Sequence, residues 1–176
     1  AAHPLTEDEA YLKAYEVHLD GSMDYIGKIP PIIINGKRIY SCEPHMIELD
    51  DGRLLCHIRA NEIFTTFQSV SDDGGKSWSE PVRLLDDFAG SPPHILKHSS
   101  GALICVYGRR QDPYGIRAMF SFDGGETWDT EHEICPLTET WDLGYPMSVE
   151  LDDGSVLTVF YARVGSDKPA VIMQQK

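Results

Sequence analysis

Three short segments concentrate the side chains with chemistry to offer: Glu43-Pro44-His45, Ser91-Pro92-Pro93-His94 and Gly144-Tyr145-Pro146. They supply a carboxylate, two imidazoles and a phenol, groups that hold or pass protons when their neighbours tune them. Arginines at positions 59, 109, 110 and 117 add planar guanidinium forks, which grip anions through paired hydrogen bonds. Plainer uses exist for each: Glu43 with Arg59 as a structural ion pair, Tyr145 as a lining aromatic, His45 and His94 as packed rings. Which use applies depends on whether the fold brings the three segments to one place.

The elements that must position them are repeats. An octet occurs twice, Ser71-Asp72-Asp73-Gly74-Gly75-Lys76-Ser77-Trp78 and Ser121-Phe122-Asp123-Gly124-Gly125-Glu126-Thr127-Trp128, fifty residues apart. Asp73 and Asp123 can accept the backbone N–H groups of their own turns. The glycine pairs, with Gly75 and Gly125 second, supply positive φ, and Trp78 and Trp128 can fold back as apolar plugs, with Ser71 and Ser121 opening each turn. Acid-rich glycine turns also suggest calcium, but too few oxygens cluster here and the EF-hand spacing is absent, so the octets are expected to be structural and no metal is expected.

A second pattern has the same period. Strand, turn and strand recur around glycines 52, 101 and 154, and each of the first two units runs on into a third strand, an octet and a fourth strand such as residues 81–85. Units of about fifty residues with four strands are the size of propeller blades. The expected fold is therefore all-β: about three four-stranded blades of a six-bladed ring. Residues 1–41 form a lead-in with the outer strands of an incomplete blade, 42–90 and 91–140 are blades with an octet each, and 141–176 begin a further one. Thr6 and Glu9 could form a capping box opening a short helix, and Asn35-Gly36 marks a hairpin. In a propeller the first strand of each blade lines the central channel, so the three segments named at the outset converge on one cavity.

Composition narrows the partners. Lys+Arg number 15 against Asp+Glu 28, a formal charge of −13, which argues against nucleic acid and anionic membrane surfaces. No apolar run has the length of a membrane span and the first residues do not read as a signal peptide. Cysteines 42, 56, 105 and 135 lack metal-ligand spacing and are expected to be free buried thiols, which leaves the compartment open.

The twin octets resemble the Asp-box, or BNR, repeats of the sialidase (neuraminidase) superfamily, over about residues 42–176. Family members carry a Glu opening an inner strand, then Val-Val-Glu-Leu-x-Asp-Gly, and an Arg sixteen residues after that Glu. Here Glu43 and Arg59 keep that spacing around Met46-Ile47-Glu48-Leu49-Asp50-Asp51-Gly52. The family nucleophile lies nine residues before the turn Gly of a later strand pair, the position of Tyr145 relative to Gly154.

The resemblance implies Tyr145 as nucleophile, Glu43 as its proton acceptor, and Arg59 as one of three arginines on a substrate carboxylate. Arg117, with Arg109 and Arg110 as alternatives, would be another, and His45 and His94 would contact substrate. It implies a retaining exo-α-sialidase type of glycoside hydrolase that uses no cofactor and acts on an acidic sugar or sialoglycan. A phenol suits this substrate because a carboxylate nucleophile would be repelled by its acid group. Two departures stand out: Tyr161 where the family has a bracing Glu, and Pro146 directly after the nucleophile position. The family's first Arg and its Asp acid/base belong to earlier blades, so the ring would be completed by an N-terminal half or a second copy of the chain. The rival expectations are a glycosidase or lyase for other acidic glycans using His45 or His94 as acid/base, and a non-catalytic glycan-binding propeller.

Overall fold

The computed structural model describes residues 11–85, 89–137, 140–165 and 167–176. The Thr6–Glu9 capping box lies outside the described residues. Two hairpins lead in, β1 (Lys13–Val17) with β2 (Met23–Lys28), and β3 (Ile32–Ile34) with β4 (Lys37–Ile39). The first blade is β5 (Ser41–Glu48), β6 (Leu54–Ala60), β7 (Thr65–Ser71) and β8 (Val82–Arg83). The second is β9 (Ala89–Lys97), β10 (Leu103–Arg109), β11 (Gly115–Ser121) and β12 (Asp129–Pro136). The third is β13 (Leu143–Glu150), β14 (Val156–Arg163) and β15 (Ala170–Gln175). Each blade is an antiparallel meander in which strands pair in chain order. The fold is thus all-β, an incomplete β-propeller.

The middle strands are apolar on both faces because each lies between two neighbouring layers. Along β6, Leu55 faces the second blade with Leu49, Ile95, Leu103 and Trp128, while Cys56 and Ile58 face the lead-in with Ile29, Ile32 and Ile39. Along β10, Cys105 and Tyr107 pack toward the first blade with Leu85 and Met119, and Ile104 and Val106 pack toward the third with Leu143 and Phe160. Period-two alternation therefore sorts one strand between two cores. All four cysteines are free, with Cys56 and Cys105 buried and Cys42 and Cys135 only partly so.

The lead-in differs from the expected outer strands of an incomplete blade. Pro30 and Pro31 separate β2 from β3, and residues without an N–H cannot extend a ladder, so two separate hairpins form. Asn35 and Gly36, at φ 52° and 73°, close β3–β4 in the two-residue turn their sequence predicts. The β1–β2 hairpin lies on the first octet, so close that a Cβ on Gly27 would stand 2.3 Å from the Gly75 carbonyl oxygen.

The octets join the third strand to the fourth in both complete blades. Ser71 Oγ and Ser77 Oγ donate to Asp73 at 2.9 and 2.6 Å, and the Ser77 N–H donates at 2.9 Å. Asp123 repeats the set with Ser121 and Thr127 at 2.8, 2.5 and 2.9 Å. Both carboxyls are held down to about 2, chiefly by the hydroxyl of the residue four positions on. The tryptophans differ: Trp78 Nε1 donates to its own turn at Gly75 O, 2.9 Å, whereas Trp128 Nε1 reaches Gln68 Oε1 of the first blade, 3.0 Å.

Candidate active site

Backbone irregularity marks the channel mouth. The β5–β6 register breaks between Cys42 and His45, the β13–β14 register between Gly144 and Met147, and the β9–β10 register between Tyr107 and Arg109. Each break is a bulge next to an X-Pro pair, where the missing N–H would otherwise interrupt the ladder. At two of these bulges a side chain that is not glycine takes positive φ: Glu43 and Tyr145, both at 48°. That conformation costs about 1–2 kcal/mol for an L-residue, and such strain gathers where a side chain must be aimed.

The two bulges, 102 residues apart in sequence, aim their side chains at each other. Tyr145 Oη donates to Glu43 Oε1 at 2.6 Å, and Arg59 Nη1 donates to Glu43 Oε2 at 2.7 Å. Arg110, at the end of β10, donates from Nε to Ser91 O at 3.2 Å and sets its guanidinium 5.8 Å from the Tyr145 ring centre. Tyr161 stands 6.0 Å from Tyr145, ring to ring, and donates to Asp142 Oδ1 at 2.9 Å. Asp142 in turn binds Arg163 Nε at 2.9 Å.

These contacts set the protonation states. Burial works against the charge on Glu43, but hydrogen bonds from Tyr145 and Arg59 and the charges of Arg59 and Arg110 outweigh it and hold the carboxyl below its ordinary value. The hydrogen bond to Glu43, then burial, pushes the Tyr145 phenol up. At neutral pH the pair is therefore a neutral phenol donating to a carboxylate. An oxygen nucleophile hydrogen-bonded to a base can lose its proton along a bond that already exists. Tyr145 is 51% exposed, so its oxygen is open to a ligand, and Arg59, 8% exposed, supports it from behind through Glu43.

The histidines lie two residues further along their strands. Their rings are 4.3 Å apart, and His45 Nδ1 accepts the Ile95 N–H at 3.2 Å, which leaves its proton on Nε2. Burial lowers both, His94 to about 4 with a smaller contribution from His45, so both are neutral at pH 7.

Arg109 and Arg117 are placed elsewhere. Arg109 Nη1 donates to Glu131 Oε2 at 2.9 Å, and Arg117 Nη1 pairs with Glu133 Oε2 at 2.8 Å, both within the second blade. The arginine beside Tyr145 is Arg110. Sequence spacing names it only as one of three, because its approach depends on how the second and third blades dock. No sequence signal separates them: Gly108 stands where Arg59 stands in the first blade, at a close approach of the second blade to the third. A Cβ on Gly108 would lie 3.2 Å from Gly144 Cα.

A family model described as a BNR repeat-like domain matches residues 9–158. The chain belongs to that family. Among solved structures, this BNR-repeat chain is similar to a protein of unknown function from Dyadobacter fermentans, with 24% identity, a TM-score of 0.74, and coverage of 86% of this chain and 41% of that one. An α-L-arabinofuranosidase from Fusarium graminearum gives 16% identity and a TM-score of 0.66, over 93% of this chain and 53% of the other. A Hadza microbial sialidase gives 13% and 0.56, over 88% and 42%. The BNR-repeat chain thus spans about half or less of each of these structures, and the likeness is one of fold. No curated protein matches it.

Proposed function

We propose that these blades belong to a glycoside hydrolase of the retaining exo-α-sialidase type, with Tyr145 as nucleophile and Glu43 as its base. The observation that carries the reading is the 2.6 Å bond from Tyr145 Oη to a carboxylate whose other oxygen is fixed by Arg59. Arg110 supports it by placing positive charge beside the phenol, where phenolate character develops and where a substrate carboxylate would sit.

In the first step Tyr145 Oη attacks the anomeric carbon while its proton passes to Glu43. The glycosidic C–O bond breaks, and the leaving oxygen takes a proton from a general acid supplied by an earlier blade. In the second step water attacks the same carbon and gives up a proton to that group, the carbon–tyrosine bond breaks, and Glu43 returns its proton to the phenolate. Two inversions give retention. In this reading further blades, from an N-terminal half or a second copy of the chain, would close the ring around this site and bring the remaining arginine of the carboxylate grip.

The test uses the protein carrying the whole ring and an aryl sialoside. Tyr145→Phe is expected to lower kcat by roughly 10³-fold or more, the scale of losing a group that acts within a unit. Undiminished turnover by that variant would remove the nucleophile assignment. A reading with His45 or His94 as acid/base has less support: His94, held near 4, is a poor acid at neutral pH.

A further inference from the structure

Beside Tyr145, Glu43 and Arg59 stands a second set of the same kinds of side chain. Tyr161 Oη donates to Asp142 Oδ1 at 2.9 Å, and Asp142 Oδ2 lies 2.9 Å from Arg163 Nε, much as Glu43 is held between Tyr145 and Arg59. Gly144 pairs with Tyr161 across β13–β14, so the bulge that turns Tyr145 outward leaves the two phenol rings 6.0 Å apart. The arginines differ in how their charge is met. Arg59, Arg109, Arg117 and Arg163 each lie 2.7–2.9 Å from a carboxylate oxygen. Arg110 pairs with no carboxylate among the described residues: its Nε donates to the Ser91 carbonyl, and its Nη2 is buried without a hydrogen-bond partner. Yet its charge acts on Tyr145 and Tyr161 alike. Asp142 is the carboxylate three residues before Tyr145, and Tyr161 and Arg163 occupy both of its oxygens.

We infer that Tyr161 is a positioning residue: with Arg163 it keeps the Asp142 carboxylate off Arg110, and so leaves that arginine's charge unpaired beside Tyr145. The inference rests on the reading of Tyr145 as the reacting phenol. A phenol suits the task because it donates to the carboxylate while staying neutral, so it turns one anion aside without placing another next to Arg110. Burial pushes the Tyr161 phenol up; the Arg110 charge works against this shift and Asp142 works with it, so the hydroxyl keeps its proton at neutral pH. An unpaired guanidinium favours negative charge on a neighbouring oxygen, whereas one matched to a carboxylate has little attraction left to offer. Arg59 is of the second kind, fully engaged with Glu43, and Arg110 is of the first. The two sets therefore divide the work: one holds the phenol's base, and the other keeps the cation beside that phenol free.

The experiment compares variants of the whole-ring protein by crystal structure and by turnover of an aryl sialoside. Tyr161→Phe keeps the ring, removes the donor and releases one Asp142 oxygen. Its structure is expected to show Asp142 paired with Arg110, and its kcat/KM to fall roughly tenfold, the scale of one charge-assisted hydrogen bond. Adding Asp142→Asn removes the charge that captures Arg110 and is expected to bring kcat/KM back to within about threefold of the parent, a coupling that simple loss of packing would not produce. Arg163→Met frees the other oxygen without touching Tyr161; it is expected to cause a smaller loss that Asp142→Asn also reverses, which keeps the test open if Tyr161→Phe fails to fold. Unchanged kcat/KM, a loss that Asp142→Asn does not reverse, or an Asp142 that stays clear of Arg110 in the variant structure would overturn the inference and leave the Tyr145 reading in place. An Asp142–Arg110 pair in the variant of a protein that turns over no sialoside would keep the positioning role and remove the sialidase reading. Neither the pair nor turnover would overturn both.

Discussion

The channel mouth and the octet turns both use a carboxylate as a hub, and they use it in opposite ways. Asp73 and Asp123 spend their oxygens on donors two and four residues away, so each turn satisfies itself and has little left to offer a ligand. Glu43 takes its donors from positions 16 and 102 residues on, so its geometry exists only once the first and third blades are docked. A carboxylate saturated locally is a folding device. One shared between a fixed arginine and an exposed phenol keeps a partner that can leave it.

Glu43→Gln should break the contrast most strongly at the mouth. Without the carboxylate the phenol loses its base, and kcat of the whole-ring protein should fall about 10²–10⁴-fold, the scale of a general base. Stability should fall by about 1–3 kcal/mol, because glutamine still accepts from Arg59 but leaves its largely buried charge without a counter-charge. Urea denaturation beside a rate assay checks both, and a large stability loss would make Glu43 a structural hub like Asp73.

Trp128→Ala is the converse. Trp128 closes the seam between the first two blades, ring to ring with His57 at 5.0 Å and hydrogen-bonded to Gln68, so its loss should cost about 3 kcal/mol in urea denaturation. Trp78→Ala should leave the seam between the first two blades intact, since the Trp78 indole donates within its own turn and its ring packs on the core shared with the lead-in.

A smaller effect separates the regions by pH. Burial holds His57 and His94 at about 4, below the ordinary 6.5, so folding favours their neutral forms. The stability this contributes is complete above 6.5 and is lost as pH falls toward 4. The octet carboxyls, held at about 2, contribute stability above 3.8 that is lost only as pH falls toward 2. Thermal melts across this range should therefore decline in two stages. His57→Gln should flatten the upper stage, and an unaltered profile in that variant would contradict the assignment.

The same division decides what was legible in the sequence. Ser71, Asp73, Gly75 and Trp78 announce their turn because the side-chain hydrogen bonds that build it are local, and the Asp-Gly and Asn-Gly hairpins read out for the same reason. The blade period followed from the turn glycines. Glu43, Arg59 and Tyr145 became candidates through repeat register and family resemblance, since nothing near Tyr145 in sequence reveals a carboxylate 102 residues away. Arg110 could not be chosen over Arg109 and Arg117 on spacing, because it follows the last residue of β10 and only blade docking says which arginine meets Tyr145. The bond from Tyr161 to Asp142 left no motif at all, because it joins the residue before β13 to the far part of β14.

The most direct test of the Tyr145–Glu43 couple is to trap the intermediate. Whole-ring protein treated with a fluorinated sialosyl fluoride, which slows release of the glycosyl–enzyme, would be digested and its peptides weighed. A glycosyl adduct on the peptide carrying Tyr145, absent from the Tyr145→Phe protein, is the predicted result. Turnover with no adduct, or an adduct on another residue, would contradict it.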